Sequence, residues 1–294
     1  MQQHPIRFLP FIKMEGCGND YVFLDAGIGS GAQALPADAP YPDWARAMSD
    51  RHTGVGGDGL ILLLPGTRGA VRMRMWNADG SEGRLCLNGL RCAAKYTAEE
   101  TGSRDAFLVE TVSGDRPVRV FRGAAGRVDT VEVDAGIADF RRESLPARGA
   151  GPEIWGEPFP LAGRDLRGHG VSVGNPHLVF FLESASEVSG FSLDALAPLS
   201  RDSRFPEGIN VHVAALAGPH RLVMRSWERG TGPTLACGSG AVAVYAASRR
   251  LAQAGAEITV GMPGGDVTLR EDDGARLFLS GPAREVFRGT WPVR

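Results

Sequence analysis

The sequence has 294 residues, of which 43% are hydrophobic and 22% are charged, and its formal net charge is −2. This near-neutral charge offers no basic surface for nucleic acid or an anionic membrane, so we expect neither as a partner. No stretch approaches the ~20 apolar residues of a membrane span, and the first residues lack the basic and apolar regions of a signal peptide. We therefore expect a cytoplasmic protein.

Short hydrophobic runs separated by turn residues predict many strands and two helices. The helices are predicted at 90–100, where Gly102 follows, and at 241–254, where Gly255 follows. Many strands with few helices indicate an α+β fold. In chain order, the predicted strands are 21–25, 60–64, 71–76, 118–121, 130–133, 171–173, 178–182, 210–214, 222–227, 257–260, 267–269, 276–280 and 285–290.

The two halves of the sequence repeat each other. An offset of 151 residues places Trp76 on Trp227 and Cys86 on Cys237, in a chain with only five tryptophans and four cysteines. The repeat predicts two pseudo-symmetric duplicated domains, each a mixed or antiparallel sheet wrapped around a central helix, with the active site in the cleft between them. The predicted domains are 1–124, joined by the C-terminal strand 281–294, and 125–280.

Each predicted half places a cysteine two residues before a potential helix N-cap. Asn88 follows Cys86, and Ser239 follows Cys237. The positive end of the helix dipole and its unpaired N–H groups are expected to lower the thiol pKa and to bind a carboxylate. A thiolate on one side of an amino-acid Cα would then remove its proton while a thiol on the other side supplies one. This pattern predicts a racemase or epimerase.

Neither a cofactor nor a metal is expected for this chemistry. Lysine occurs only as Lys13 and Lys95, which argues against pyridoxal phosphate because that cofactor needs a Schiff-base lysine. The four cysteines form no CxxC pair and no histidines cluster near them, which argues against zinc. We expect Cys92 to be a core residue and Cys17 to be structural, because a cysteine without a repeat partner is usually a buried apolar residue.

The segments around the paired cysteines resemble those of the diaminopimelate epimerase family. They read WNADGSE at 76–82, CLNGLRC at 86–92 and ERGTGPTLACGSGA at 228–241. Four further matches follow in the family's order, GCGND at 16–20, RHTGVGGDG at 51–59, GNPH at 174–177 and GIN at 208–210. The resemblance therefore covers nearly the whole chain.

The resemblance implies that the chain converts LL- to meso-diaminopimelate, without a cofactor and as a homodimer, in the synthesis of lysine and peptidoglycan precursors. It implies that Cys86 donates a proton and Cys237 accepts one at the L-centre. It also implies that His177 and Glu228 adjust the pKa values of the two thiols. The implied substrate-binding residues are Asn19, Asn77, Leu87, Asn88, Asn175, Asn210, Glu228, Arg229, Gly238 and Ser239.

Two positions depart from the family pattern. Leu87 stands where the family usually has glycine after the first cysteine, and Gly59 stands where some members have glutamine. These departures leave open a racemase of another amino acid, such as proline or histidine, on the same fold. A thiol oxidoreductase that uses Cys86 and Cys237 as a redox pair, and a ligand-binding protein without catalysis, are alternatives from other functional classes.

Overall fold

A computed structural model describes residues 8–293 of the chain. The described residues divide into two compact units. Unit 1 is the chain up to Val133 together with the segment from Gly281 onward, and unit 2 is Asp134–Ser280. The division falls inside a strand, nine residues after the predicted boundary at 124/125. No helix within 8–293 combines the length and the apolar character that a membrane crossing requires.

Strands dominate both units. The first part of the chain forms β1 (Phe8–Gly16), β2 (Asn19–Asp25), α1 (Tyr41–Ser49), β3 (Gly59–Pro65), β4 (Val71–Asn77), β5 (Glu82–Gly83), α2 (Leu87–Thr101), β6 (Ala106–Glu110), β7 (Arg116–Arg122) and β8 (Val128–Ile137). The remainder forms β9 (Trp155–Leu161), β10 (Arg164–Ser172), β11 (Pro176–Phe181), α3 (Ala185–Gly190), α4 (Ala197–Ser200), β12 (Asn210–Leu216), β13 (Arg221–Glu228), β14 (Gly232–Thr234), α5 (Gly238–Arg250), β15 (Glu257–Met262), β16 (Gly265–Glu271), β17 (Arg276–Pro282) and β18 (Arg284–Pro292).

The two units have the same strand pairing and register. In unit 1, β2 is parallel to β3, β3 is antiparallel to β4, and β4 is parallel to β6. In unit 2, β11, β12, β13 and β15 pair in the same order and directions. Trp76 lies opposite Leu60, and its repeat partner Trp227 lies opposite Val211. The prediction of an α+β fold with duplicated sheet-and-helix domains is confirmed.

One long helix is buried in each unit. In α2 every residue from Leu87 through Ala98 is buried, and in α5 burial extends from Gly240 through Ser248. The interior of α5 is rich in alanine and valine on all sides, as expected for a helix covered on every face. Because each helix is buried within its own unit, packing holds its first turn in a defined position.

Both long helices begin three residues earlier than predicted, at Leu87 and Gly238. The helix α2 ends at Thr101, before Gly102 in the left-handed conformation, whereas α5 ends at Arg250, short of the predicted 254. The predicted strands are present, most with wider bounds. Sequence patterns did not predict the strands β1, β5, β6, β9 and β14 or the helices α1, α3 and α4.

Candidate active-site residues in the two units

Cys86 is itself the N-cap of α2. Its backbone is extended, and its Sγ accepts a hydrogen bond from the backbone N–H of Gly89 at 3.4 Å. The hydroxyl oxygen of Tyr21, on β2, lies 3.1 Å from the same sulfur. The prediction that Asn88 is the N-cap is wrong, because the thiol binds the N–H group that an N-cap side chain normally satisfies.

The side chain of Asn88 fastens the start of α2 to the turn before β2. Its Nδ2 donates to Oδ1 of Asn19 at 2.5 Å, and Nδ2 of Asn19 donates to Asp58 at 3.0 Å. The guanidinium of Arg91 donates to Oδ1 of Asn88 at 2.8 Å. Two amides that the resemblance assigns to substrate binding therefore hold each other. Each still has one amide N–H that these bonds do not use.

Cys237 is the N-cap of α5, so the prediction of Ser239 as the N-cap is also wrong. Burial raises the pKa of the Cys237 thiol well above its usual value, and the carboxylate of Glu228, which accepts a hydrogen bond from it, acts in the same direction. The N–H of Gly240 and the hydroxyl of Ser239, 3.7 Å from the sulfur, act against this rise in pKa. The predicted lowering of the thiol pKa is therefore wrong for Cys237, because desolvation outweighs the helix start.

The amide of Asn175 fastens the start of α5 as Asn19 fastens that of α2. Its Nδ2 donates to Oγ of Ser239 at 3.3 Å, and its Oδ1 lies 3.0 Å from Nε2 of His177. Asn175 follows Gly174 before a strand as Asn19 follows Gly18, and Ser239 lies 151 residues after Asn88, at the offset of the repeat. Both units therefore connect a Gly-Asn turn to the second residue of the buried helix.

His177 packs against a second histidine that the sequence analysis did not identify. Nδ1 of His177 lies 2.8 Å from Nε2 of His212, and both side chains are fully buried. Burial lowers the pKa of His177 well below its usual value, with contributions from His212 and Arg229, and it lowers the pKa of His212 to about 3. The sequence signal for this second histidine was the position of His212 between two valines of the strand β12.

Asn210 is bound by the backbone of its own unit. Its Nδ2 donates to the carbonyl of Pro176 at 3.0 Å, and its Oδ1 accepts from the backbone N–H of Arg229 at 2.9 Å. The guanidinium of Arg229 donates to the carbonyl of Glu207 at 2.8 Å. Asn210 thus holds the backbone of Arg229 in place, and a direct role for either residue in substrate binding stays a prediction.

Asn77 and Glu228 end equivalent strands. Asn77, at the end of β4, is exposed and donates to Oγ of Ser81 at 2.9 Å. Glu228, at the end of β13, is half-buried and accepts from the hydroxyl of Thr234 at 2.6 Å. The first backbone N–H groups of both helices, at Leu87 and Gly238, have no acceptor within the helix and are suited to an anion.

A cavity of about 560 Å³ lies next to Arg229 in unit 2. Trp227, Glu207 and two further arginines, Arg148 and Arg201, contribute to its lining. The lining of this cavity does not include Cys237. The cavity therefore adjoins a predicted substrate residue without containing a candidate catalytic atom.

The two cysteines without a repeat partner lie in the core. Cys92 is fully buried, and burial raises the pKa of its thiol to about 12, as expected for a core residue. Cys17 is also buried, in a left-handed backbone conformation, and Nη2 of Arg91 lies 3.5 Å from its sulfur. Among residues 8–293, no three His, Cys, Asp or Glu side chains are grouped as a metal site would need.

Comparison with known proteins places the chain in a family. The model of the family described as diaminopimelate epimerase matches residues 11–140 and 170–286. The chain is 40% identical to a diaminopimelate epimerase of Geobacillus kaustophilus, over 98% of each chain. It is 38% identical to that of Moorella thermoacetica, over 96% of this chain and 99% of the relative. The chain belongs to the diaminopimelate epimerase family.

Members of the diaminopimelate epimerase family are isomerases of amino-acid biosynthesis, and this chain is one of them. Its fold also resembles more distant solved structures. The superposition with a PhzF-family phenazine biosynthesis protein of Bacillus anthracis covers 98% of this chain and 100% of that protein, with a TM-score of 0.72 and 16% sequence identity. A hydroxyproline epimerase of Agrobacterium vitis covers 97% and 91%, with a TM-score of 0.64 and 12% identity. At these identities the likeness concerns the fold alone.

Proposed function

We propose that the chain converts LL-diaminopimelate to meso-diaminopimelate without a cofactor, using Cys86 and Cys237 as an acid–base pair. The observation that carries the proposal is the position of the two cysteines. Each is the N-cap of the buried helix of its unit, at equivalent places in the repeat. The substrate is proposed from the names of relatives that are about 40% identical over nearly the full chain.

The mechanism requires one sulfur on each face of the substrate Cα. The thiolate of Cys237 removes the Cα proton at the L-centre, and the thiol of Cys86 delivers a proton to the opposite face. Glu228, which accepts a hydrogen bond from Cys237, is the group that can take the thiol proton to prepare the base. Tyr21 is placed to donate to Cys86 when that sulfur becomes a thiolate.

The carboxylate next to the reacting carbon needs hydrogen-bond donors. The free N–H groups at the starts of α2 and α5 would supply them, from Leu87 and Asn88 in one unit and from Gly238 and Ser239 in the other. Donors of this kind stabilise the negative charge that develops when the Cα proton leaves. Arg229 would bind the second, distant carboxylate of the substrate, which a simple amino acid such as proline lacks.

Isotope exchange in deuterated water tests the proposal. The protein should exchange the Cα hydrogen of LL-diaminopimelate for deuterium, which mass spectrometry detects. It should also form the meso isomer, which chromatography separates. Cys86→Ala and Cys237→Ala should each lower turnover by at least about a thousandfold, since each removes one proton-transfer group. Cys92→Ala, at a buried cysteine in α2, is the matched control and should retain turnover.

Turnover retained in either catalytic-cysteine variant would contradict the two-sulfur mechanism. Exchange with proline or histidine but not with LL-diaminopimelate would instead favour a racemase of another amino acid. The homodimer and the cytoplasmic location stay predictions.

A further inference from the structure

A chain of side-chain hydrogen bonds runs through unit 2 from β13 to the start of α5. Its centre is the pair of fully buried histidines on neighbouring parallel strands β11 and β12. Each member between Ser226 and Cys237 has a partner on both sides. In order, the contacts are Ser226 Oγ to His212 Nδ1 at 2.9 Å, His212 Nε2 to His177 Nδ1 at 2.8 Å, His177 Nε2 to Asn175 Oδ1 at 3.0 Å, Asn175 Nδ2 to Ser239 Oγ at 3.3 Å, and Ser239 Oγ to Cys237 Sγ at 3.7 Å.

The orientation of the Asn175 amide determines the direction of these bonds. Its carbonyl oxygen faces Nε2 of His177, so that nitrogen carries the hydrogen. Nδ1 of His177 then accepts from Nε2–H of His212, whose Nδ1 accepts from the hydroxyl of Ser226. Burial lowers the pKa of both histidines, so each ring is neutral and carries one N–H. Because the amide N–H of Asn175 donates to Ser239, the Ser239 hydroxyl hydrogen remains for the sulfur.

The duplicated fold does not itself require this series of hydrogen bonds. In unit 1 the positions of His212 and Ser226 are occupied by Ile61 and Met75. These apolar residues lie opposite each other on β3 and β4, as His212 and Ser226 do on β12 and β13. Burying polar side chains costs free energy unless each group is hydrogen-bonded. The polar version is present only in the unit whose cysteine is the proposed base.

Packing against α5 holds the His212 ring in place. A Cβ built on Gly240 would lie 2.4 Å from Cε1 of His212, so only glycine at this helix position leaves room for the ring. The ring therefore contacts the first turn of the helix that Cys237 caps.

We infer that His212 and Ser226 are positioning residues, which act through this series of hydrogen bonds to direct the Ser239 hydroxyl at the sulfur of Cys237. The inference rests on the proposed function, because it concerns the thiolate that Cys237 forms as the base. A hydroxyl that donates to a thiolate favours that form and offsets part of the effect of burial and Glu228. Two charged groups face this series of hydrogen bonds, Glu228 beside the sulfur and Arg229 beside the histidines.

The test compares the rates at which iodoacetamide alkylates Cys237 and Cys86 in the full chain, followed separately by peptide mass spectrometry. His212→Leu removes the N–H group that donates to Nδ1 of His177. His212→Gln keeps a donor and an acceptor and is the conservative variant. We expect His212→Leu to slow alkylation of Cys237 about tenfold near neutral pH and to move its pH profile upward, because the Ser239 hydroxyl is no longer directed at the charged sulfur.

The rate at Cys237 in His212→Gln should stay near that of the parent chain, and the rate at Cys86 should be the same in all three proteins. Ser226→Ala, a smaller change, should slow Cys237 in the same direction by less. An unchanged Cys237 rate in His212→Leu overturns the inference. An equal loss in His212→Gln overturns it as well, and so does a parallel change at both cysteines in Ser226→Ala.

Alkylation needs no substrate, so this test is separate from that of the proposed function. If LL-diaminopimelate shows no exchange while alkylation of Cys237 still depends on His212, the proposed reaction fails and the positioning role stands. If exchange occurs normally and alkylation is indifferent to His212, the positioning role fails alone.

Discussion

The two candidate catalytic cysteines occupy equivalent positions in different surroundings. Cys86 is half-buried and lies beside the hydroxyl of Tyr21. Cys237 is buried beside the carboxylate of Glu228 and the hydroxyl of Ser239. Burial and the Glu228 carboxylate raise the pKa of the Cys237 thiol and so favour its protonated form. In the proposed mechanism, these different surroundings would let one fold position serve two roles in proton transfer.

Glu110 provides a prediction about pH. Backbone N–H groups of Arg68, Gly69 and Thr67 donate to its carboxylate, and these bonds lower its pKa from 4.5 to about 2. A carboxyl with a lowered pKa in the folded state stabilises the fold above its unfolded pKa, and this contribution is lost as the pH falls from about 4.5 through about 2. Glu110→Gln should therefore reduce the free energy of unfolding more at pH 7 than at pH 3.

Urea denaturation of the parent chain and of Glu110→Gln at both pH values measures this difference. Glu257→Gln, at an exposed position on β15, is the control and should change stability little at either pH. A difference between parent and variant that is the same at pH 7 and pH 3 would show that the charge of Glu110 contributes nothing to folding.

Both units connect their Gly-Asn turn to the buried helix by a side-chain hydrogen bond, but with opposite orientation of the turn amide. Asn19 presents its carbonyl oxygen to Asn88 at the start of α2. Asn175 presents its amide N–H to Ser239 at the start of α5. The second residue of each helix therefore acts as a donor in unit 1 and as an acceptor in unit 2. The duplicated backbone keeps the connection while the side chains set its polarity.

Arg91 connects the helix α2 to the C-terminal segment of unit 1. Its side chain is fully buried, and it donates to Oδ1 of Asn88 at 2.8 Å and to the carbonyl of Pro282 at 3.1 Å. Lysine has one compact ammonium group and cannot span both acceptors as the guanidinium does. We expect Arg91→Lys to reduce the free energy of unfolding by about 2–4 kcal/mol, because a buried acceptor loses its donor.

Urea denaturation measures this loss, with Arg72→Lys as the matched control. Arg72 is exposed on β4, so the same substitution there should change stability by less than about 0.5 kcal/mol. Equal stability of the two variants would mean that Arg91 does not hold α2 in place.

The strand β18 belongs to unit 1, although it follows the residues of unit 2 in the sequence. The strand β18 pairs antiparallel with β1, from Phe8 opposite Pro292 to Glu15 opposite Arg284. Removal of residues 284–294 would leave the buried strand β1 without this partner, although β1 also pairs with β2. We expect amide hydrogen exchange in unit 1 to rise by more than about tenfold, while exchange in unit 2 changes little.

Exchange measured by mass spectrometry reports the two units separately. A chain that lacks only Arg294 keeps β18 intact and is the control. An equal rise in both units of the chain that ends at residue 283 would contradict the expectation that β18 supports unit 1 in particular.

Much of this architecture was readable from local patterns. Alternating and continuous apolar runs predict most strands, because side chains on a strand face alternate sides and the core selects one. The repeat of Trp76 and Cys86 at Trp227 and Cys237 predicts the duplication, because a duplicated sequence folds into the same pairing twice. Among the missed elements, β9 contains two prolines, and proline is unusual inside a strand because it cannot donate a ladder hydrogen bond.

Sequence patterns were sufficient to predict the fold class, the family and the two cysteines on which the proposed chemistry depends. The raised pKa of the Cys237 thiol, the contact of His212 with His177 and the N-cap position of both cysteines became visible in the folded protein. Desolvation and hydrogen bonding depend on groups that folding brings together from distant parts of the sequence. Local patterns specify strands and helices, but they do not specify which polar groups the folded chain buries together.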